Sequence, residues 1–123
     1  MEITVLVVED DPINMLVAQK LLEKSFIIYT ASKANIALEL ISQQKFDIIL
    51  MDINLGSDSI EGIELMQQIK NEEKENAPKI YAVTSYAMPE DKEKFLNFGF
   101  DWYFPKPISK EMIIEKIKLD LGQ

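Results

Sequence analysis

Five short apolar runs recur along the chain, at residues 3–8, 26–30, 48–51, 80–83 and 100–104. The first and third are apolar without alternation, the pattern of strands covered on both faces. The fifth admits Asp101 and is followed by Pro105 and Pro107, which predicts an edge strand. Between the runs, apolar positions return at helical spacing. Ile13, Leu16, Val17 and Leu21 share one predicted helical face, as do Ala34, Ala37, Leu38 and Ile41. Gly62, Leu65, Met66 and Ile69 repeat the spacing, and so do Ile113, Ile114, Ile117 and Leu121. The weakest helix spans about 89–98, anchored by Phe95 and Phe98. Asp11 before Pro12 predicts a helix cap, and Ser109 a second one. Five strands alternating with five helices predict one α/β domain over residues 1–123, a parallel sheet with helices on both faces. The charged run 72–76 reads as a solvated helix end.

Composition narrows the chemistry. There is no cysteine and no histidine, which removes disulfides, thiol and Ser-His nucleophiles and the commonest zinc ligands. All 13 basic residues are lysine, so bidentate arginine capture of phosphate is absent. A net charge of −8 argues against direct contact with nucleic acid or an anionic membrane. No run is long enough for a signal peptide or a membrane span. A cytoplasmic domain is expected.

In open α/β sheets the ligand site lies beyond the carboxyl ends of the strands. Strand one is followed by Glu9, Asp10 and Asp11, strand three by Asp52, strand four by Thr84 and Ser85, and strand five by Lys106. Strand two ends in Thr30, Ala31 and Ser32, which offer nothing chemically sharp. Converging carboxylates take up a proton or hold a cation, and oxygen-only ligands favour Mg²⁺. A lysine and a threonine beside them can bind phosphoryl oxygens, with Asp52 as the nucleophile that forms an acyl phosphate. Singly, each residue has an ordinary explanation, and Asp11 reads as a cap. Jointly, at four strand ends, they predict a phosphoryl-transfer site.

These positions resemble the receiver domains of two-component response regulators along the whole chain. The resemblance rests on Val7-Val8-Glu9-Asp10-Asp11-Pro12-Ile13-Asn14, on residues 47–54 around Asp52, on Ala82-Val83-Thr84 and on Tyr103-Phe104-Pro105-Lys106-Pro107. It implies a flavodoxin-like (βα)5 sandwich with strand order 2-1-3-4-5. It makes Asp52 the phosphoacceptor and Asp10 a direct Mg²⁺ ligand, with Glu9 acting through metal-bound water and the Asn54 carbonyl supplying another oxygen. Thr84 and Lys106 would bind the phosphoryl group, Tyr103 would be the aromatic switch, and the Lys106-Pro107 bond would be cis. The donor would be a histidine kinase or a histidine phosphotransfer domain. The readout face would be the fourth helix, fifth strand and fifth helix, about 89–121, carrying Lys92, Lys94, Asp101, Lys110 and Glu115. Without arginine, the arginine-rich dimer contacts of DNA-binding regulators are not expected. The sequence looks most like receivers attached to hybrid sensor kinases.

Two features depart from the family pattern. The stretch from Leu55 to Gly62 is about two residues longer than the usual loop after the phosphoacceptor and lacks its Met-Pro pair. Tyr86, two residues past Thr84, puts a bulky ring where it would shield an acyl phosphate from water. Other functions fit less well. A flavodoxin-type cofactor binder needs a Ser/Thr/Gly-rich loop after strand one, and a dinucleotide fold or P-loop needs glycines where this chain has none. Aspartate-nucleophile hydrolases place the nucleophile after the first strand. The domain is therefore read as a phosphoacceptor with self-phosphorylation and self-dephosphorylation chemistry, not a turnover enzyme. The alternative is a receiver-like interaction scaffold that works without phosphorylation.

Overall fold

A computed structural model describes residues 2–53, 57–85 and 89–122, with the backbone alone described at 57–60 and 89. The strands are β1 (Thr4–Val8), β2 (Ile27–Ala31), β3 (Ile48–Asp52), β4 (Lys79–Thr84) and β5 (Trp102–Pro105). The helices are α1 (Pro12–Leu22), α2 (Ala34–Gln43), α3 (Ser57–Glu73), α4 (Pro89–Phe98) and α5 (Lys110–Asp120), with a 3-10 turn at Lys74–Asn76. All four strand pairings are parallel, in the order β2-β1-β3-β4-β5. This is the flavodoxin-like order expected of the fold.

Alternation along each strand splits the core into two layers. Leu6, Ile49, Met51, Ile80 and Ala82 face the layer closed by Ala37 of α2, Leu65, Met66 and Ile69 of α3, and Phe95 of α4. Val5, Val7, Ile48, Leu50, Tyr81 and Val83 face the layer closed by Ala18 and Leu22 of α1 and by Ile113 and Ile117 of α5. The unalternating apolar strands β1 and β3 are indeed interior. Both edges, β2 and β5, carry half-exposed residues.

Several sequence expectations need correction. The face predicted to bury α1 does not. Ile13, Leu16 and Val17 are 73%, 53% and 49% exposed, while Ala18 and Leu22 are buried and Leu21 packs beside them. This helix is apolar on more than one side, so spacing alone could not select the inward one. β2 begins at Ile27 and β5 at Trp102, so Phe26 and Phe100 are buried anchors before their strands. Asp101 lies ahead of β5 and clasps the opposite rim of the sheet, accepting from Ile80 N and Lys70 Nζ, each at 2.8 Å. It is therefore committed to structure and is not a free charge on the readout face. In the stretch read as a long loop, residues 57–62 belong to α3. Leu55, Asn54 and Tyr86 lie outside the described residues.

The caps and the proline match expectation. Asp11 Oδ1 accepts from Ile13 N at 2.8 Å and from Asn14 N at 3.1 Å, Ser109 Oγ accepts from Met112 N, and Lys106-Pro107 is cis. Gly62 is where α3 comes closest to β3. A Cβ there would stand 2.4 Å from Cδ1 of the fully buried Ile53. A helical Gly→Ala change ordinarily stabilises by about 1 kcal/mol. Here the forced shift of Ile53 reverses that sign, and Gly62→Ala is expected to cost about 1–3 kcal/mol in urea unfolding. Adding Ile53→Val, which removes the obstructing methyl, should recover most of the loss; no recovery would locate the strain elsewhere.

Candidate functional site

The parallel register brings the strand ends level. Val8 pairs with Met51, Asp52 with Val83, and Thr84 with Pro105. One residue further, backbone bonds hold the rim: Glu9 N donates to Ala31 O at 3.0 Å, Ile53 N to Val83 O at 2.8 Å and Lys106 N to Thr84 O at 2.8 Å. The acids and the lysine are thus fixed by the sheet itself.

Glu9, Asp10 and Asp52 present carboxylate oxygens that all lie within 4.8 Å of one another. Lys106 Nζ bonds Asp52 Oδ1 and stands 3.6 Å from Glu9 Oε2. Burial grades the set: the side chains of Glu9 and Asp52 are 5% and 6% exposed and that of Lys106 is 19% exposed, whereas Asp10 is open to solvent. Burial is the main reason the Glu9 carboxyl is pushed up to about 7, and the Asp52 carboxylate against it adds to the shift. The Asp11 backbone N–H, 3.0 Å from Glu9 Oε1, and Lys106 pull the other way without prevailing. Burial alone would lower the Lys106 ammonium, but the carboxylates of Asp52 and Glu9 more than reverse this and hold it above the ordinary lysine value. Three carboxylates with no nitrogen or sulfur donor suit a hard cation such as Mg²⁺.

Two cavities reach Asp52 from opposite faces of the sheet. One, of about 470 Å³, runs between α1 and the segment after β5 and is lined by Asn14, Val17, Leu21, Lys106 and Ile108 as well as Asp52. The other, of about 110 Å³, opens between α2 and α3 beside Asp10, Ser32, Lys33 and Glu61. Lys33 and Glu61 line this cavity but belong to none of the motifs that mark the site in the sequence. The rule that every strand end meets the same rim would have found Lys33, one residue past the end of strand two that offered nothing sharp. Thr84 is fully buried at the end of β4 and lines neither cavity, while exposed Ser85 shares a shallow opening with Asp10 and Lys106. Tyr103 is half-buried and stacks on Phe95 of α4, with ring centres 6.4 Å apart and planes 19° apart. Asn54 lies outside the described residues.

The family model for the response regulator receiver domain matches residues 5–118. The chain belongs to that family. Receiver domains of this kind are signalling domains of two-component systems rather than classical enzymes. This receiver is 35% identical over 120 residues to the polar-differentiation response regulator DivK of Brucella ovis, covering 97% of this chain and 96% of that one. It superposes with a TM-score of 0.80, at 30% identity, on a CheY-like receiver from Methanospirillum hungatei, covering 99% and 95% of the two chains. It is also similar, with a TM-score of 0.80, 29% identity and coverages of 95% and 87%, to a co-crystal structure from Saccharomyces cerevisiae. That complex joins the histidine phosphotransfer protein Ypd1 to the receiver domain of its downstream response regulator Ssk1. Among the described residues, no helix of this receiver is long and apolar enough to cross a membrane.

Proposed function

We propose that this receiver accepts a phosphoryl group on Asp52 from the phosphohistidine of a histidine kinase or histidine phosphotransfer domain, in the cytoplasm, and switches partner binding as a result. The observation that carries the reading is the buried Asp52 carboxylate joined to Lys106 and crowded by Glu9, with Asp10 at the solvent edge. In the transfer, the N–P bond of the donor breaks as an Asp52 Oδ–P bond forms. Asp10, Asp52 and Glu9, together with the backbone carbonyl of Asn54, would hold Mg²⁺, and the ion would supply positive charge that offsets the transferring oxygens. Lys106 remains bonded to the carboxylate side and supplies a fixed positive charge to the same oxygens. Thr84 hydrogen-bonds the phosphoryl group and Tyr103 follows it, carrying the change to the face of α4, β5 and α5 and to a downstream protein.

The test is intact mass after incubation with acetyl phosphate. A single phosphoryl adduct should form with Mg²⁺, and none with EDTA or in Asp52→Asn. A folded protein that takes no adduct from acetyl phosphate or from a phosphohistidine donor would leave the unphosphorylated scaffold as the function.

The uncovered residues of α1 support a site for the donor. Ile13, Leu16 and Val17 form an exposed apolar strip, and Val17 also lines the cavity that contains Asp52 and Lys106. A helical donor laid on this strip would bring its histidine to the rim. Leu16→Glu, remote from the carboxylates, should reduce phosphotransfer from a histidine donor at least tenfold, a loss of about 1.4 kcal/mol. Its labelling by acetyl phosphate should stay unchanged. Equal losses with both donors would contradict the docking role.

A further inference from the structure

The two edges of the sheet are treated differently. On β5, Trp102 is covered by Lys92 Nζ at 4.2 Å and Lys116 Nζ at 4.4 Å from its ring centre, and Pro105 offers no N–H. Lysines and proline are the usual guards of an open edge. β2 has neither. Its five residues, Ile-Ile-Tyr-Thr-Ala, include no charge and no proline, and Ile27 and Tyr29 are 39% and 37% exposed.

The hydrogen-bond phase of β2 determines what could pair with it. Ile27 N donates to Ile3 O, and Ala31 O accepts from Glu9 N, so residues 27, 29 and 31 turn their backbone groups toward β1. Those of Ile28 and Thr30 therefore point outward. Two outward residues flanking a central one form a self-complementary set. An antiparallel copy centred on Tyr29 would exchange both N–H···O bonds between Ile28 and Thr30 of the other copy. Tyr29 would then face its own counterpart across the axis, with Ile27 opposite Ala31. Neither lysine next to the strand meets a like charge directly, since this register sets Lys24 opposite Ala34 and Lys33 opposite Ser25.

We infer that the β2 edge pairs with the β2 edge of a second copy of this chain, joining two five-stranded sheets across a two-fold axis. Pairing five residues a side buries less than the standard stable interface, so the dimer is weak and appears as concentration rises. The net charge of −8 on each copy opposes it, and added salt relieves that repulsion.

Sedimentation velocity of the full chain from micromolar to millimolar concentration should show a rising sedimentation coefficient. The rise should be lost in Tyr29→Lys, which sets like charges opposite each other on the axis. Because the chain has no cysteine, single-cysteine variants read the register directly. Under mild oxidation Tyr29→Cys should form a disulfide-linked dimer, because facing residues at a non-hydrogen-bonded antiparallel pair lie within disulfide reach. Ile27→Cys and Leu119→Cys, at a position 72% exposed, should crosslink far more slowly. The inference is overturned by a monomer at every concentration, by a dimer that survives Tyr29→Lys, or by crosslinking no faster at position 29 than at 119.

Discussion

Lys106→Met is expected to slow labelling by acetyl phosphate about a hundredfold, the scale of losing one preorganised charge from a transferring group. Methionine keeps the length and apolar stem of the side chain, so the change isolates the ammonium. In the native site that ammonium bonds Asp52 and lies 3.6 Å from Glu9. Without it the buried carboxylates of Asp52 and Glu9 confront each other with no ammonium between them. The Asp52 carboxylate loses the cation that holds it, and the transferring oxygens lose a fixed positive charge at the same time. Lys106→Arg should not restore the rate, because a planar fork cannot occupy the position of a compact ammonium. Intact-mass time courses with Mg²⁺ at fixed pH, beside a urea titration to show that the variant is folded, measure the effect. A rate equal to that of the native chain would remove Lys106 from the reaction.

In EDTA, the native chain should lose stability as pH rises from about 5 to about 8, opposite to the trend set by most paired carboxylates. The cause is Glu9, whose carboxyl moves from 4.5 to about 7 on folding, chiefly by burial. A group with a raised folded pKa binds its proton more tightly in the native state. Its stabilising contribution is complete below 4.5 and disappears as pH climbs through about 7. The size is on the order of 3 kcal/mol, and Glu9→Gln should flatten the profile. Mg²⁺ should restore stability most at high pH, where the ligand oxygens are already free of protons. Asp120 acts with the opposite sign. Burial raises its pKa, but the Tyr81 hydroxyl at 2.6 Å and Lys116 hold it below the ordinary value, so its contribution is lost only as pH falls into the acid range. Urea midpoints taken above about pH 5 therefore isolate Glu9. A profile that is flat in EDTA, or equally steep in Glu9→Gln, would contradict this account.

Much of this domain is visible in local pattern. Apolar runs without alternation at 3–8 and 48–51 mark the interior strands, and Asp11-Pro12 and Ser109 mark helix starts whose caps the structure contains. The acids after strands one and three and the lysine after strand five predicted one rim because parallel strands all end on the same side. The structure brings Glu9, Asp10, Asp52 and Lys106 together there. Local pattern failed where two faces of an element were equally apolar. Helical spacing in α1 is satisfied both by Ile13, Leu16 and Val17 and by the buried Ala18 and Leu22, and only contact with the sheet chooses between them. It failed again for Asp101, whose partners Lys70 and Ile80 are 31 and 21 residues away in sequence. The unusual acidity of Glu9 and the difference between the guarded and unguarded sheet edges were hidden for the same reason. Periodicity and capping arise between neighbours along the chain, within reach of a few bonds. Orientation, burial and pKa depend on charges and surfaces brought by distant segments, and those meet only when the sheet is assembled.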